Sequence, residues 1–317
     1  PLVRPSKMAY AFLRSPKNLP NTGESQHGVS QADEALRLER LTPPAGKARM
    51  VLDTDTYNEI DDQFAVVQSV LSPDKLAVEA IYAAPFYNSR SASPGDGMEK
   101  SYEEILRLLE RLDISANGLV HKGATDILRD QTPLESAAVD DMIAKSREGD
   151  GPLYVAALGA ITNVASAILK DPSIIERIVV VWLGGHAHYW PTAHEFNLQG
   201  DVTAAQVVFD SGVPFVQVPC YPVASHLLTT LAELDRFVKG QGAIGDYLVA
   251  IFADYARDHF AYAKQIWDIS AVAWLLDGSW VPTDVVHSPI LTAEKTWSFD
   301  PSRHFICLLY TSPSPRD

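Results

Sequence analysis

The chain has 317 residues, 46% of them hydrophobic, enough for one large α/β domain or two small ones. Its 26 Lys and Arg against 40 Asp and Glu give a formal net charge of −14, and with no basic run this argues against a nucleic-acid groove or an anionic membrane surface. The two cysteines, Cys220 and Cys307, form neither a disulfide framework nor a zinc site and suit a reducing, cytoplasmic compartment; no apolar run reaches the ~20 residues that span a bilayer.

Residues 1–46 are rich in Pro, Ser, Asn and Gln and lack the apolar core of a signal peptide, so they read as a disordered or spurious leader to a domain at 47–306. Met50-Val51-Leu52 reads as the end of a buried strand. The stretch that follows carries four aspartates in ten positions, Asp53, Asp55, Asp61 and Asp62. Phe64, Val67, Val70 and Leu71 then recur at helical spacing. The carboxylates therefore sit on a strand-to-helix turn, with Asp61 and Asp62 where the free N–H groups and dipole of a helix start favour negative charge. Four of them exceed what capping needs and repel one another; a bound cation relieves that, and an all-oxygen site suits Ca²⁺ or Mg²⁺.

Residues 77–84 read as a second buried strand, closed by a Pro/Asn/Ser/Gly-rich loop at 85–97. An amphipathic helix is expected at 101–112, with Ile105, Leu108, Leu109 and Leu112 on one face, and another helix at 134–145. Residues 153–158 form a third strand before Gly159, 162–169 a helix, and 178–183 a strand stopped by Gly184-Gly185. A helix at 201–210 and a strand at 214–218 follow, and beyond 228 the pattern is mostly helical: 231–239, 244–259 and 268–276. Strands alternating with helices predict an α/β fold in one domain, an open, mostly parallel sheet with helices on both faces. Ligands of such sheets bind outside the carboxyl ends of the strands, which selects the loops after Leu52, Ala84, Leu158 and Leu183. The last of these carries His186, His188, His194, Glu195 and Asn197. Residues 307–317, CLLYTSPSPRD, resemble the translation of a sequencing-library adapter; on that reading they stand outside the domain and its C-terminus is truncated.

Two hydrolase readings compete for the acidic turn. Asp53-Thr54-Asp55-Thr56 after an apolar run resembles the DxDxT motif of the haloacid-dehalogenase phosphatases, in which the first Asp attacks phosphorus beside Mg²⁺ and a later lysine, here Lys170 or Lys264, assists. The second resemblance covers more of the chain, from about residue 49 to 300. Asp53-x-Asp55 with Asp61-Asp62 is similar to the aspartate signature of the inosine–uridine-preferring nucleoside hydrolases. Gly159-Ala160-Ile161-Thr162-Asn163-Val164-Ala165, Leu183-Gly184-Gly185, Glu195-Phe196-Asn197 and Trp267-Asp268 look like later segments of that family, in order.

This resemblance implies a nucleoside hydrolase-like, Rossmann-like sheet, often in homodimers or tetramers. It implies hydrolysis of the N-glycosidic bond of ribonucleosides, with Ca²⁺ holding the nucleophilic water and the ribose hydroxyls. Carried over by position, the metal ligands are Asp55, Asp62, Asp268 and the main-chain carbonyl of Leu158, with Asp55 also the catalytic base. Asp61, Asn88, Glu195 and Asn197 hold the ribose, and Trp267 the base, which favours purine nucleosides. Such chemistry agrees with the residue types, because carboxylates stabilise the cationic sugar of the transition state. The sequence departs from the family in a turn two residues longer (Thr56-Tyr57-Asn58-Glu59-Ile60), which brings Asn58 or Glu59 toward the site, in Trp267 standing where one branch has histidine, and in lacking a final helix and strand after about residue 306. A third reading, a non-catalytic metal-stabilised sugar or nucleoside binder, keeps Asp62, Asp268 and Glu195 but dispenses with Asp55.

Overall fold

A computed structural model describes residues 33–310 of the protein. Its strands are β1 (Ala48–Thr54), β2 (Leu76–Ala83), β3 (Val120–Lys122), β4 (Leu153–Ala157), β5 (Ile178–Leu183), β6 (Phe215–Val218), β7 (Leu228–Thr229), β8 (Lys264–Gln265), β9 (Thr283–His287), β10 (Ile290–Leu291), β11 (Trp297–Ser298) and β12 (Phe305–Leu309). The α-helices are α1 (Glu34–Arg40), α2 (Asp62–Val70), α3 (Pro94–Arg111), α4 (Ala137–Ser146), α5 (Thr162–Lys170), α6 (Phe196–Gly200), α7 (Val202–Ser211), α8 (Leu231–Phe237), α9 (Gly242–Tyr255) and α10 (Ile269–Leu276).

Eight strands form one sheet in the order β3-β2-β1-β4-β5-β6-β12-β9, parallel throughout except for the β12–β9 pair. Both faces are covered, so the central strands are apolar on both sides. Met50, Leu52, Val179 and Val181 pack with α2, α3, α9 and α10; Val51, Val155, Val180 and Trp182 pack with α4, α5 and α7. The chain steps outward from β1 to β3, then returns to the opposite side of β1 as β4. The carboxyl ends of β1 and β4 therefore flank the point where strand order reverses, the place where open α/β sheets leave a crevice. There Asp53 is in register with Ala157, and the Leu158 N–H donates to the Asp53 carbonyl at 2.7 Å.

Most expected elements stand within a residue or two of their predicted bounds. The main differences lie where Pro and Gly obscured a helix or apolar residues fell in a polar region. α3 starts at Pro94 rather than 101, because Ser93 caps it by accepting the Asp96 N–H at 3.1 Å and proline suits a first helical position. Within the stretch read as a leader, Glu34–Arg40 instead forms α1. Arg37 is buried there and its Nε donates to the Gly212 carbonyl at 2.9 Å, while Leu41 is buried behind it. Residues 1–32 of that leader lie outside the described residues. Cys307, Leu308 and Leu309, set aside as non-native, continue β12: Cys307 pairs with Val216 and Leu308 with Gln217, and Cys307 and Leu309 are buried. Residues 311–317 are likewise outside the described part. No helix among the described residues is long and apolar enough to cross a membrane.

Asn163, at the start of α5, ties the end of β1 to the loop after β3. Its Nδ2 donates to Asp53 Oδ1 at 2.7 Å and its Oδ1 accepts the Ala124 N–H at 2.8 Å, all fully buried. Replacing it with alanine strands a carboxyl oxygen and an N–H group, each worth ~1–3 kcal/mol when left unpaired. Asn163→Ala should therefore lower unfolding stability by ~2–5 kcal/mol, read as the urea midpoint at unchanged slope. A loss below ~0.5 kcal/mol would show that the two groups find other partners.

Candidate active site

Three distant segments converge at the β1/β4 crevice. After β1 the chain places Asp55, turns through residues 56–60, and enters α2 at Asp62 with Asp61 as its N-cap residue. After β4 come Leu158 and Gly159. A Cβ on Gly159 would lie 2.7 Å from Asp55 Cγ, so glycine is what lets the backbone pass beside this carboxylate. From the far end of the chain, Asp268 stands at the N-cap of α10, and the Trp267 N–H donates to Asp61 Oδ2 at 3.3 Å. Carboxylate oxygens of Asp61, Asp62 and Asp268 lie within 4.8 Å of one another.

Asp55, Asp61, Asp62 and Asp268 are each at most 4% exposed. Burial raises all four pKa values. At Asp55 and Asp268 the next cause is the Asp62 charge, and Asp62, pressed by Asp61, is pushed up to about 8. Lys264 opposes the rise at Asp61. Thr54 Oγ1 donates to Asp62 Oδ1 at 2.5 Å. Both carboxylate oxygens of Asp55 and Oδ1 of Asp268 are buried with no hydrogen-bond partner among the described residues. Unpartnered anionic oxygens converging in a low-dielectric setting fit a divalent cation that takes oxygen ligands.

The four aspartates line a cavity of about 290 Å³ together with Leu158, Glu195, Asn197 and Trp267. The Leu158 carbonyl accepts the Asn197 amide at 2.7 Å, and the same Nδ2 donates to the Leu183 carbonyl at 2.9 Å. A carbonyl has two lone pairs, so Leu158 keeps acceptor capacity. Glu195 caps α6: its carboxylate accepts the N–H groups of Gly185 at 2.9 Å, Asn197 at 2.9 Å and Leu198 at 3.1 Å. Burial raises its pKa and these N–H groups oppose the rise. Glu195 thus fixes the backbone of the loop that presents Asn197.

Asn88, expected at the ribose, is absent from the cavity wall. Its Nδ2 instead donates to Asn58 Oδ1 at 2.6 Å, and Asn58 lines the cavity. The longer turn interposes Asn58 and Glu59, leaving Asn88 behind them. Glu59 is held at 2.5 Å by the buried Lys264 ammonium. Of the histidines, His186 and His194 line the cavity, whereas His188 pairs with Gln217 Oε1 at 2.8 Å and packs on Trp297. Burial lowers the pKa of His186, whose Nδ1 accepts the Tyr221 N–H at 3.2 Å. Trp267 meets Tyr221 edge to face at 5.4 Å. Tyr221, Cys220 and Phe196 also line the cavity, though the sequence reading gave none of them a place in the site; for Tyr221 and Cys220 the signal was their place just past the carboxyl end of β6.

Asp53, the nucleophile of the phosphatase reading, is fully buried, bonded to Asn163, and off the cavity wall. Lys170 pairs on the surface with Glu135 and Asp140, and Lys264 is committed to Glu59. That reading is therefore set aside.

Residues 50–301 match the family described as inosine-uridine preferring nucleoside hydrolase. Pyrimidine-specific ribonucleoside hydrolase RihA of Salmonella newport is 30% identical over 251 residues, 68% of this chain and 76% of that one. RihA of Enterobacter sp. (strain 638) is 28% identical over 261 residues, covering 72% and 78%. Among solved structures, a purine-preferring ribonucleoside hydrolase from Gardnerella vaginalis superposes with a TM-score of 0.68 at 19% identity, covering 84% of this chain and 95% of its own. The plant nucleoside hydrolase PpNRh1 gives 0.64 at 21% identity, covering 85% and 95%. At these identities the structural likeness concerns the fold.

The raised carboxylate pKa values set a pH dependence. A carboxylate whose folded pKa lies above its unfolded value contributes stability fully below the unfolded pKa and loses it as pH rises through the folded one. Without a cation, these aspartates therefore weaken the fold progressively from about pH 4 to the value near 8 at Asp62. A divalent ion displaces their protons and removes that loss. The rise in melting temperature on adding Ca²⁺ to metal-free protein should grow steadily between pH 5 and pH 8. A rise independent of pH would place the ion elsewhere.

Proposed function

The chain belongs to the inosine-uridine preferring nucleoside hydrolase family, and from that premise we propose that it cleaves the N-glycosidic bond of ribonucleosides with the help of Ca²⁺ held by Asp55, Asp62, Asp268 and the Leu158 carbonyl. The observation that carries this reading is the pair of unpartnered, buried Asp55 oxygens beside Asp62 and Asp268 on the cavity wall. When bound, the ion supplies Lewis acidity that lowers the pKa of a water and orients the ribose diol.

The chain's own groups do the rest. Asp55 takes the proton of the attacking water, since both its oxygens are free of competing donors. Asp61, Asn197 and Asn58 orient the ribose hydroxyls, Asn58 standing where Asn88 was expected and Asn197 held by Glu195. The surrounding carboxylates stabilise positive charge on the sugar as the bond to the base lengthens. A non-catalytic binder needs no base, and the relatives named as ribonucleoside hydrolases favour the enzyme.

Trp267 and Tyr221 form an aromatic corner suited to a base. Indole cannot donate a proton usefully, but its face stabilises a cationic, ring-protonated base. We therefore assign purine nucleosides as the favoured substrates. The second reading, pyrimidine nucleosides, is favoured by the curated relatives, which are named pyrimidine-specific.

Two measurements test these roles. Asp55→Asn should retain its fold and lose ~10²–10⁴-fold in kcat on inosine and uridine, followed as reducing sugar; near-normal turnover would remove Asp55 from the role of base. Trp267→Ala should slow inosine by at least ~10-fold while leaving p-nitrophenyl riboside, whose leaving group needs no proton, nearly unchanged. Equal losses on both would reduce Trp267 to a packing residue, and a wild-type preference for uridine over inosine would select the second reading.

A further inference from the structure

Residues 57–63 divide their side chains between two cavities. Asn58, Glu59, Asp61 and Asp62 line the acidic one. Tyr57, Ile60 and Gln63 line a second, of about 570 Å³, closed by α3, α9 and Arg90 of the loop after β2. Nothing in the reaction proposed above uses this second space.

Most of its polar groups are already paired. The buried Glu104 carboxylate accepts Arg107 Nε at 2.7 Å, the Tyr247 hydroxyl at 2.5 Å and Gln63 Nε2 at 3.3 Å. Two groups are not. Arg90 lies over the Tyr57 ring at 4.3 Å and gives one N–H to the Glu59 carbonyl at 3.0 Å, yet has no carboxylate within ion-pair distance among the described residues. Gln63 is 2% exposed, and its Oε1 is buried with no donor. The exposed Asp254 also stands on the wall, so a bound anion meets some repulsion there.

A guanidinium with free N–H groups calls for an oxyanion, and its fork matches phosphate. An orphaned amide oxygen calls for a hydroxyl or N–H donor, since leaving it unpaired costs ~1–3 kcal/mol. The volume lies in the ordinary range for small-molecule sites. The geometry points to a binding site for a small phosphorylated polyol, a sugar phosphate, with its phosphate on Arg90 and a hydroxyl donated to Gln63 Oε1. This rests on the second cavity alone and stands whether or not the proposed hydrolysis is correct.

Calorimetric titration of the full, Ca²⁺-loaded chain with ribose 5-phosphate tests it, with inorganic phosphate and ribose as separate arms. Ribose 5-phosphate should bind with a Kd of ~1 mM or tighter and at least several-fold more tightly than either arm. Arg90→Gln should weaken it at least ~10-fold, and Arg90→Lys, which keeps the charge but loses the fork, by a smaller factor. Because Arg90 also supports the turn, a second reading keeps the wild type: the Gln63 side-chain amide resonances should move on saturation with ribose 5-phosphate and stay in place with ribose. No binding at ~10 mM, inorganic phosphate binding as tightly as ribose 5-phosphate, undiminished binding in Arg90→Gln, or unmoved Gln63 resonances would each overturn the assignment.

Discussion

Four carboxylates withdrawn from water onto one crevice are the constraint around which this protein is arranged. Burial disfavours the charge of each, the Asp62 charge raises the pKa values of Asp55 and Asp268 further, and Asp61 raises that of Asp62. The only opposing cation among their named neighbours is Lys264, which acts on Asp61 and is shared with Glu59. Such a cluster is tolerable because helix starts, a threonine hydroxyl and one main-chain N–H take part of the charge, and because a divalent ion can take the rest. On the proposed ligand set, removing Asp55, Asp62 or Asp268 relieves repulsion while it removes a ligand, so the stability of the ion-free fold and its grip on a metal are expected to move in opposite directions.

The sheet explains why the cluster sits where it does. β1 is central, its apolar residues serve both faces, and the reversal of strand order beside it leaves its carboxyl end uncovered by a neighbouring crossover. Asp53 and Asp55 are separated by one residue there and have different functions. Asp53 points into the protein, holds Asn163 and sits near pKa 7. Asp55 passes beside Gly159 and lines the cavity. Strand alternation would put the two on one face, but β1 ends at Thr54, so the turn out of the strand is what sends Asp55 to the cavity while Asp53 stays in the scaffold.

Much of this was legible in the residues. β4 and β5 are uninterrupted apolar runs closed by Gly159 and Gly184, the Met50–Leu52 run of β1 ends at Asp53, and the order of strands and helices specified a parallel sheet. The acidic turn was readable because residue type and spacing mark it, whereas Trp267-Asp268 was readable only through its likeness to a family segment. Less could be read where position depends on contacts made across the chain. Asn88 and Asn58 are equivalent as residue types, and only the lengthened turn decides which reaches the cavity. Glu195 looks like a ligand but spends its oxygens on three backbone N–H groups. α1 hides in a polar stretch because the residue it buries is Arg37 and not a leucine, Leu38 being exposed. β9 mixes Thr, Asp and His with valines, since one side of it has no strand neighbour. Cys307–Leu309 were read from their own residues alone, and their place in β12 depends on partners in β6 and β9.

The Trp267 N–H and the Asp61 carboxylate it meets are 206 residues apart. During synthesis at roughly 5–20 residues per second, the acidic turn and the β1–β2 region emerge ~10–40 s before the segment that closes the crevice. Throughout that interval the early aspartates face water, where they are ordinary ionised groups with no reason to hold a metal tightly. The desolvation that distinguishes them arrives only when α10 docks. Capture of the proposed ion therefore waits on the docking of α10, and a nascent chain short of residue 268 has the acidic turn without Asp268 beside it.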